Sequence, residues 1–204
     1  MIANGPGSSF FPIIISGFGF SRLNPLLLTL PAGIVIGTIE LGVPYIACRV
    51  DNIRAWLIVI CQCGTIAASL LPWLLPRDEK SDLLFACYIL ASYSGGYVVL
   101  MGLQVANTAG HTKRSATSAG MFVGHCLGNV MGPMLFKPED APTYAPGFIA
   151  VLATSSAAAL LARVYRSLCI RDNCHHDGSG TQKCAKRTLD DVGDRKKRQF
   201  KYVF

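Results

Sequence analysis

Charged side chains are scarce. Asp, Glu, Lys and Arg make up 15% of the 204 residues, against about 25% in a soluble globular domain. Those present crowd into the stretch after Tyr165, and the long apolar runs before it are nearly empty of charge. That distribution excludes an ordinary water-soluble domain and points to membrane spans. No basic n-region precedes the apolar Phe10-Phe-Pro-Ile-Ile-Ile15, so a cleaved secretory signal is not expected. A Gly-rich phosphate loop, a nucleophile elbow and a metal-binding His pair on a helix are also missing. Neither an enzyme nor a cofactor is therefore expected. Of the eight cysteines, Cys48, Cys61, Cys63, Cys87 and Cys126 fall in or beside apolar runs, where Cys behaves as a small hydrophobe. Cys169, Cys174, His175, His176 and Cys184 gather later but lack the spacing of a zinc site, so no metal is expected. The net charge of +7 fits a basic cytosolic end better than a nucleic-acid surface.

The apolar runs set the architecture. The run at 10–20 is too short to cross about 30 Å of hydrocarbon, which takes about 20 helical residues. Five runs are long enough, at 25–48, 55–75, 83–106, 115–136 and 145–165. Lipid offers no partner to a backbone amide, so each run reads as a helix. The expected fold class is all-α, a polytopic membrane bundle of about five transmembrane helices over residues 24–165. Residues 166–204 form a basic tail without a sustained apolar period, expected to be mostly disordered. Its Arg195-Lys-Lys-Arg198 cluster, with Phe200, Tyr202 and Phe204, is either solvated or rests on anionic lipid.

Five spans put the two ends of the chain on opposite sides. The loops at 49–54 and 107–114 carry four Lys or Arg residues, and those at 76–82 and 137–144 carry three. Arg163, Arg166 and Arg171 beside the last span tip the balance. The positive-inside rule then puts the C-terminal end in the cytosol, and the two acidic loops face outward.

The few polar residues inside the spans are the candidate sites. Glu40 is the deepest charge, a group that costs about 2.5–3.5 kcal/mol at a helix centre. It shares a helical stripe with Gly33, Gly37 and Pro44. The small residues let another helix approach closely, so the stripe is expected to face protein. Glu40 reads as a proton-coupling or solute-contacting group, or as a structural carboxyl bonded to a neighbouring helix. His125 and Asn129 lie one turn apart. They suit a helix–helix hydrogen bond, or, for His125, a titrating place in a water-filled path. Tyr93, Tyr97 and Gln104, on one stripe with Leu100, suit a path for a small carboxylate or amide solute, or plain packing. Gly120, Gly124, Gly128 and Gly132 recur every fourth residue and make a slanted groove for another helix. Asn107, His111, Lys113 and Arg114 sit at the cytosolic edge. In the first loop Arg49 and Arg54 flank Asp51, which is placed to cap the next helix.

Two ordered sets of residues carry a resemblance. The first is Asn107, Ala109-Gly-His-Thr-Lys-Arg114, Gly128-Asn129, Gly132-Pro133, Phe136, Asp140-Ala-Pro142, Tyr144 and Gly147. The second, fainter, is Asn4-Gly5, Gly17-Phe-Gly-Phe-Ser21, Leu26-Leu-Leu28, Pro31 and Gly33. Together they resemble the allantoate permease family, the anion:cation symporter branch of the major facilitator superfamily. Arg49-Val-Asp-Asn-Ile-Arg54 is similar to the Asp/Arg signature between the second and third helices of each half in that superfamily. The resemblance implies the C-terminal part of a carrier, with residues 1–23 as the outer end of a truncated helix plus a loop. It implies proton-coupled uptake of a small organic anion, or an allantoate-, vitamin- or amide-like solute, by alternating access at the plasma membrane. The partners implied are the lipid bilayer, the solute, protons, and a missing N-terminal half or another carrier. As an incomplete copy, the chain is not expected to transport alone. A second class stays open: a non-transporting protein or degenerate half-carrier that pairs with another carrier through the Gly120–Gly132 groove. A membrane-embedded enzyme would need a catalytic cluster at one interface, and His111 with Lys113 and Arg114 lacks a carboxylate or thiol.

Overall fold

The computed structural model describes residues 24–74, 85, 88–108, 110–136, 145–178 and 203. Residues 1–23, the two acidic loops at 76–82 and 137–144, and the Arg195–Arg198 cluster lie outside them, and with them the expectations that fall there. Five helices follow one another: α1 (Asn24–Arg49), α2 (Arg54–Leu74), α3 (Tyr93–Ala106), α4 (His111–Met134) and α5 (Ala145–Gly178). Among the described residues there is no strand. The protein is an all-α membrane helical bundle.

The helix ends follow local chemistry. α1 keeps Pro31 and Pro44 inside it and closes on Arg49, a cation that suits the negative end of the helix dipole. The turn into α2 passes through Asn52 at φ 60°, a left-handed conformation that Asn tolerates better than most residues. The Ile53 carbonyl then accepts the Leu57 N–H at 2.9 Å and opens α2. The third apolar run is not one smooth helix. At Ala91 and Ser92 it tightens, with Ser92 N–H donating to the Ile89 carbonyl and Ser94 N–H to the Ala91 carbonyl. The Ser92 and Ser94 hydroxyls donate to those same two carbonyls, at 2.7 and 2.9 Å. Such side-chain bonds compete with the regular helical ladder.

α4 begins at His111 rather than at Ser115, so His111, Lys113 and Arg114 belong to its first turn and not to a loop. Cations are disfavoured at a helix N-terminus. Arg114 offsets this by donating from Nε and Nη2 to the Thr108 carbonyl, at 3.3 and 3.2 Å. α5 runs past residue 166, where the tail was expected to begin, so residues 166–178 are helical. Pro146 sits in its first turn, where its missing N–H costs little, and the helix runs on to Gly178. Its continuation is held because Tyr165 and Cys169 still pack inward.

α2 is the central helix. It packs along α5 and α3, while α1 lies on α3 and α4 touches α3 only lightly. Ala47, Leu57, Ile58, Val99 and Leu103 form the core cluster, with Val43, Ile53, Ala162 and Tyr165 around it. The outward faces stay apolar, with Ile34 73% and Leu41 77% exposed on α1 and Phe122, Val130 and Met134 exposed on α4. A soluble protein does not show water so much contiguous apolar surface; a lipid-facing one does. Leu30–Arg49, Arg54–Leu71, Tyr88–Ala106 and Ala145–Cys174 are long and apolar enough to cross a membrane. α4, with 24 residues, is long enough, but its glycines and polar first turn dilute its apolarity.

The close helix approaches fall at glycines other than those expected. A Cβ on Gly33, Gly37, Gly120 or Gly124 would meet nothing within 4 Å. A Cβ on Gly95 would lie 2.7 Å from Ile39 Cγ2, and one on Gly96 would lie 3.2 Å from Cys61 Cβ. The adjacent pair in α3 thus lets α1 and α2 close in on two sides. Gly128 and Gly132, further along α4, are buried.

Candidate solute cavity

A cavity of about 610 Å³ opens between α2, α3, α4 and α5. Gly96 on α3 and Gly124 on α4 help make the room, since neither carries a side chain into it. Most of the wall is aliphatic. The polar exceptions are Gln62 from α2, Tyr93 and Tyr97 from α3, His125 from α4, and Thr154, Ser155 and Tyr165 from α5.

His125 is the most specific feature of that wall. Its ring stacks on Tyr97 with centroids 5.1 Å apart and planes at 24°, and Phe122 follows at 6.5 Å and 20°. Asn129, one turn further on, points its Nδ2 at His125 Nε2 at 2.8 Å. With the amide donating, Nε2 accepts and the ring proton sits on Nδ1. Nδ1 is buried and makes no hydrogen bond among the described residues.

The sequence-predicted residues divide. Tyr93, Tyr97 and His125 come together in the cavity wall. Asn129 stands behind His125 and fixes its tautomer. Gln104, on the same stripe as Tyr93 and Tyr97, leaves the cavity altogether: its Nε2 donates to Thr117 Oγ1, and its Oε1 accepts from Ser118 Oγ at 3.2 Å. It ties α3 to α4 instead. Glu40 is exposed on α1, so its stripe does not turn inward among the described residues. Its carboxylate is close enough to act electrostatically on Tyr93. Gln62, Thr154, Ser155 and Tyr165 were missed. Gln62 had a signal, as the lone amide inside the apolar 54–74 run.

The loop residues gather at one end of the bundle. Arg166 Nη1 donates to the Asn52 carbonyl at 2.9 Å, which joins α5 to the α1–α2 turn. Arg163 and Arg166 both lie over the Trp56 ring, at 5.9 and 5.4 Å from its centroid, and Arg49 lies over Tyr45 at 5.2 Å. Asp51 is exposed, and Arg54 is half-buried. Asn107 is buried and donates to Tyr165 Oη at 2.7 Å, which brings the α3–α4 junction to the same end. His111, Lys113 and Arg114 follow it there on α4. Among the described residues no group of three His, Cys, Asp or Glu side chains could hold a metal ion.

The described helices thus form a polytopic bundle with an aromatic cavity between them and a basic end. Comparison with known proteins names the class. The chain is 29% identical over 203 residues to the MFS-type transporter cnsL of Penicillium expansum, covering 99% of this chain and 42% of that protein. It is 29% identical over 212 residues to an uncharacterized transporter of Schizosaccharomyces pombe, covering 99% and 40%. It is 25% identical over 185 residues to the allantoate permease of Saccharomyces cerevisiae, covering 86% and 34%. The chain is a homologue of MFS-type transporters and spans about two fifths of the length of the first two of these relatives. No family model and no solved structure matches it.

Proposed function

We propose that the chain contributes one half of a carrier that moves a small organic solute, an anion or an allantoate-, vitamin- or amide-like molecule, across the plasma membrane. The step is alternating access coupled to protons, with no covalent chemistry. The observation that carries this reading is the 610 Å³ cavity with the His125 ring stacked on Tyr97 in its wall. A planar solute finds there an aromatic face. Tyr93 and Gln62 supply further polar contacts, and Glu40, outside the wall, is the candidate for proton coupling. Alternating access needs two helix bundles that rock about a shared site. Uptake therefore requires a second half, on this polypeptide or another. The end that gathers Arg49, Arg54, Lys113, Arg114, Arg163 and Arg166 is the cytosolic one by the positive-inside rule.

A chimera tests this. The chain replaces the matching region of the Saccharomyces cerevisiae allantoate permease, and allantoate uptake is measured in cells lacking that permease. Uptake that a protonophore abolishes is expected. His125→Phe keeps the stack but deletes the ring nitrogens and the bond to Asn129, and should cut uptake up to about tenfold, the scale of one hydrogen bond. Exposed Val123→Ala should leave it unchanged. No uptake with normal surface expression, or equal effects of the two substitutions, would refute the reading. The other class, a non-transporting partner of another carrier, draws on the open groove at Gly120 and Gly124. Co-purification of a full carrier, lost on Gly120→Leu, would favour it.

A further inference from the structure

Asn107 and Val203 are 96 residues apart in sequence, and they meet. Asn107 is 6% exposed. Its Nδ2 donates to the Val203 carbonyl at 2.6 Å, and its Oδ1 accepts the Val203 N–H at 2.8 Å. The second Nδ2 proton goes to Tyr165 Oη at 2.7 Å. The Asn107 backbone N–H is already spent on the Leu103 carbonyl at 2.9 Å. The carboxamide thus does for residue 203 what a neighbouring β-strand would do: it exchanges both an N–H and a C=O bond with one residue. The orientation of the amide is fixed from outside. Turned over, it would set its NH₂ against the Val203 N–H and its oxygen against the Val203 carbonyl. Neither the helix packing nor the cavity uses this contact.

We propose that Asn107 is a docking site for peptide backbone, and that its occupant is Val203 of this chain. The bonds involve main-chain atoms of residue 203 only, so the site reads an extended, non-proline backbone and is indifferent to the side chain there. Aspartate cannot replace Asn107, because it lacks the donor. Tyr165 accepts the other Nδ2 proton and so ties the amide to α5. Docking ties Val203 to the junction of α3 and α4 and, through Tyr165, to α5. The docking itself does not depend on the transport reading.

Hydrogen exchange of the full chain in lipid nanodiscs tests it. The Val203 amide should exchange about tenfold more slowly than in a free peptide of residues 195–204, the factor expected of about one net hydrogen bond. Asn107→Ala should return it to the free-peptide rate. Val203→Ala keeps both main-chain groups and should keep the protection. An unprotected Val203 in the unaltered chain, or protection that survives Asn107→Ala, overturns the proposal. So does protection lost on Val203→Ala. Should Asn107→Ala also lose protection throughout α2 and α5, the protein has unfolded and Val203→Pro replaces it. That change deletes the donor outside the helices and should speed exchange at Asn107 and Thr108. Unchanged exchange there is equally fatal.

Discussion

Gly95 offers a clean test of the helix packing. An alanine there would place its Cβ 2.7 Å from Ile39 Cγ2, 3.1 Å from Val43 Cγ2 and 3.3 Å from Val43 Cβ. Comfortable carbon–carbon contact is about 3.5–4.0 Å. Both neighbours are β-branched and stiff at χ1 in a helix, so neither swings away cheaply. Overpacking of this kind costs about 1–3 kcal/mol. Against it stands the helix-propensity gain of Gly to Ala, about 1 kcal/mol. Gly102, on the same helix, meets nothing within 4 Å, so Gly102→Ala takes the gain without the clash. The propensity terms cancel between the two variants. Gly95→Ala should therefore be less stable than Gly102→Ala by about 1–3 kcal/mol. The assay is unfolding in mixed micelles by SDS titration, followed by tryptophan fluorescence. Truncating the clashing neighbour, Ile39→Ala, should narrow the gap. Equal stabilities of the two alanine variants would mean that α1 does not pack on α3 as described.

Two further tests reach other parts of the fold. A Cβ on Gly147 would fall 2.5 Å from two ring atoms of Phe136, a ring only 1% exposed and packed edge-on against Phe148 at 5.6 Å. Gly147→Ala should cost about 1–3 kcal/mol in the same titration, and Phe136→Leu in the same chain should recover part of it. Trp56 lies under Arg163 and Arg166, so Trp56→Leu and Arg166→Met should couple by about 0.5–1 kcal/mol in a double-mutant cycle, the scale of an exposed cation–π pair. A zero coupling would show the stack to be incidental.

The bundle was legible because lipid permits few alternatives. Long runs without charge, ended by Arg and Pro, have only the helix available to them. The residues of a stripe were legible too, since Tyr93, Tyr97 and Gln104 do share a face. What that face meets was not. One further turn carries Gln104 out of the cavity and into bonds with Thr117 and Ser118. Glycine spacing likewise shows where a helix can come close, not which helix does. Periodicity marks Gly33, Gly37, Gly120 and Gly124 as able to receive a helix, but the partner that arrives decides, and it arrives at Gly95 and Gly96. The reach of α5 to Gly178 was hidden by its charges, which thin the apolar period while Cys169 still packs. The Asn107–Val203 contact joins residues 96 apart, and no local pattern announces such a pair.

The Trp56 stack also has a meaning along the membrane normal. From Ala145 to Arg163, α5 climbs about 27 Å at 1.5 Å per residue, close to the thickness of a bilayer core of about 30 Å. Trp and Arg belong at the headgroup level, where a ring can be half-wet and a guanidinium can reach phosphate. The bundle therefore carries its own ruler. One mark is the start of α5 and the other is the pair of guanidinium groups on Trp56. Because the second mark joins α2 to α5, neither helix can slide to suit a different bilayer without breaking it. A membrane several ångströms thicker would have to thin around the protein or do without it.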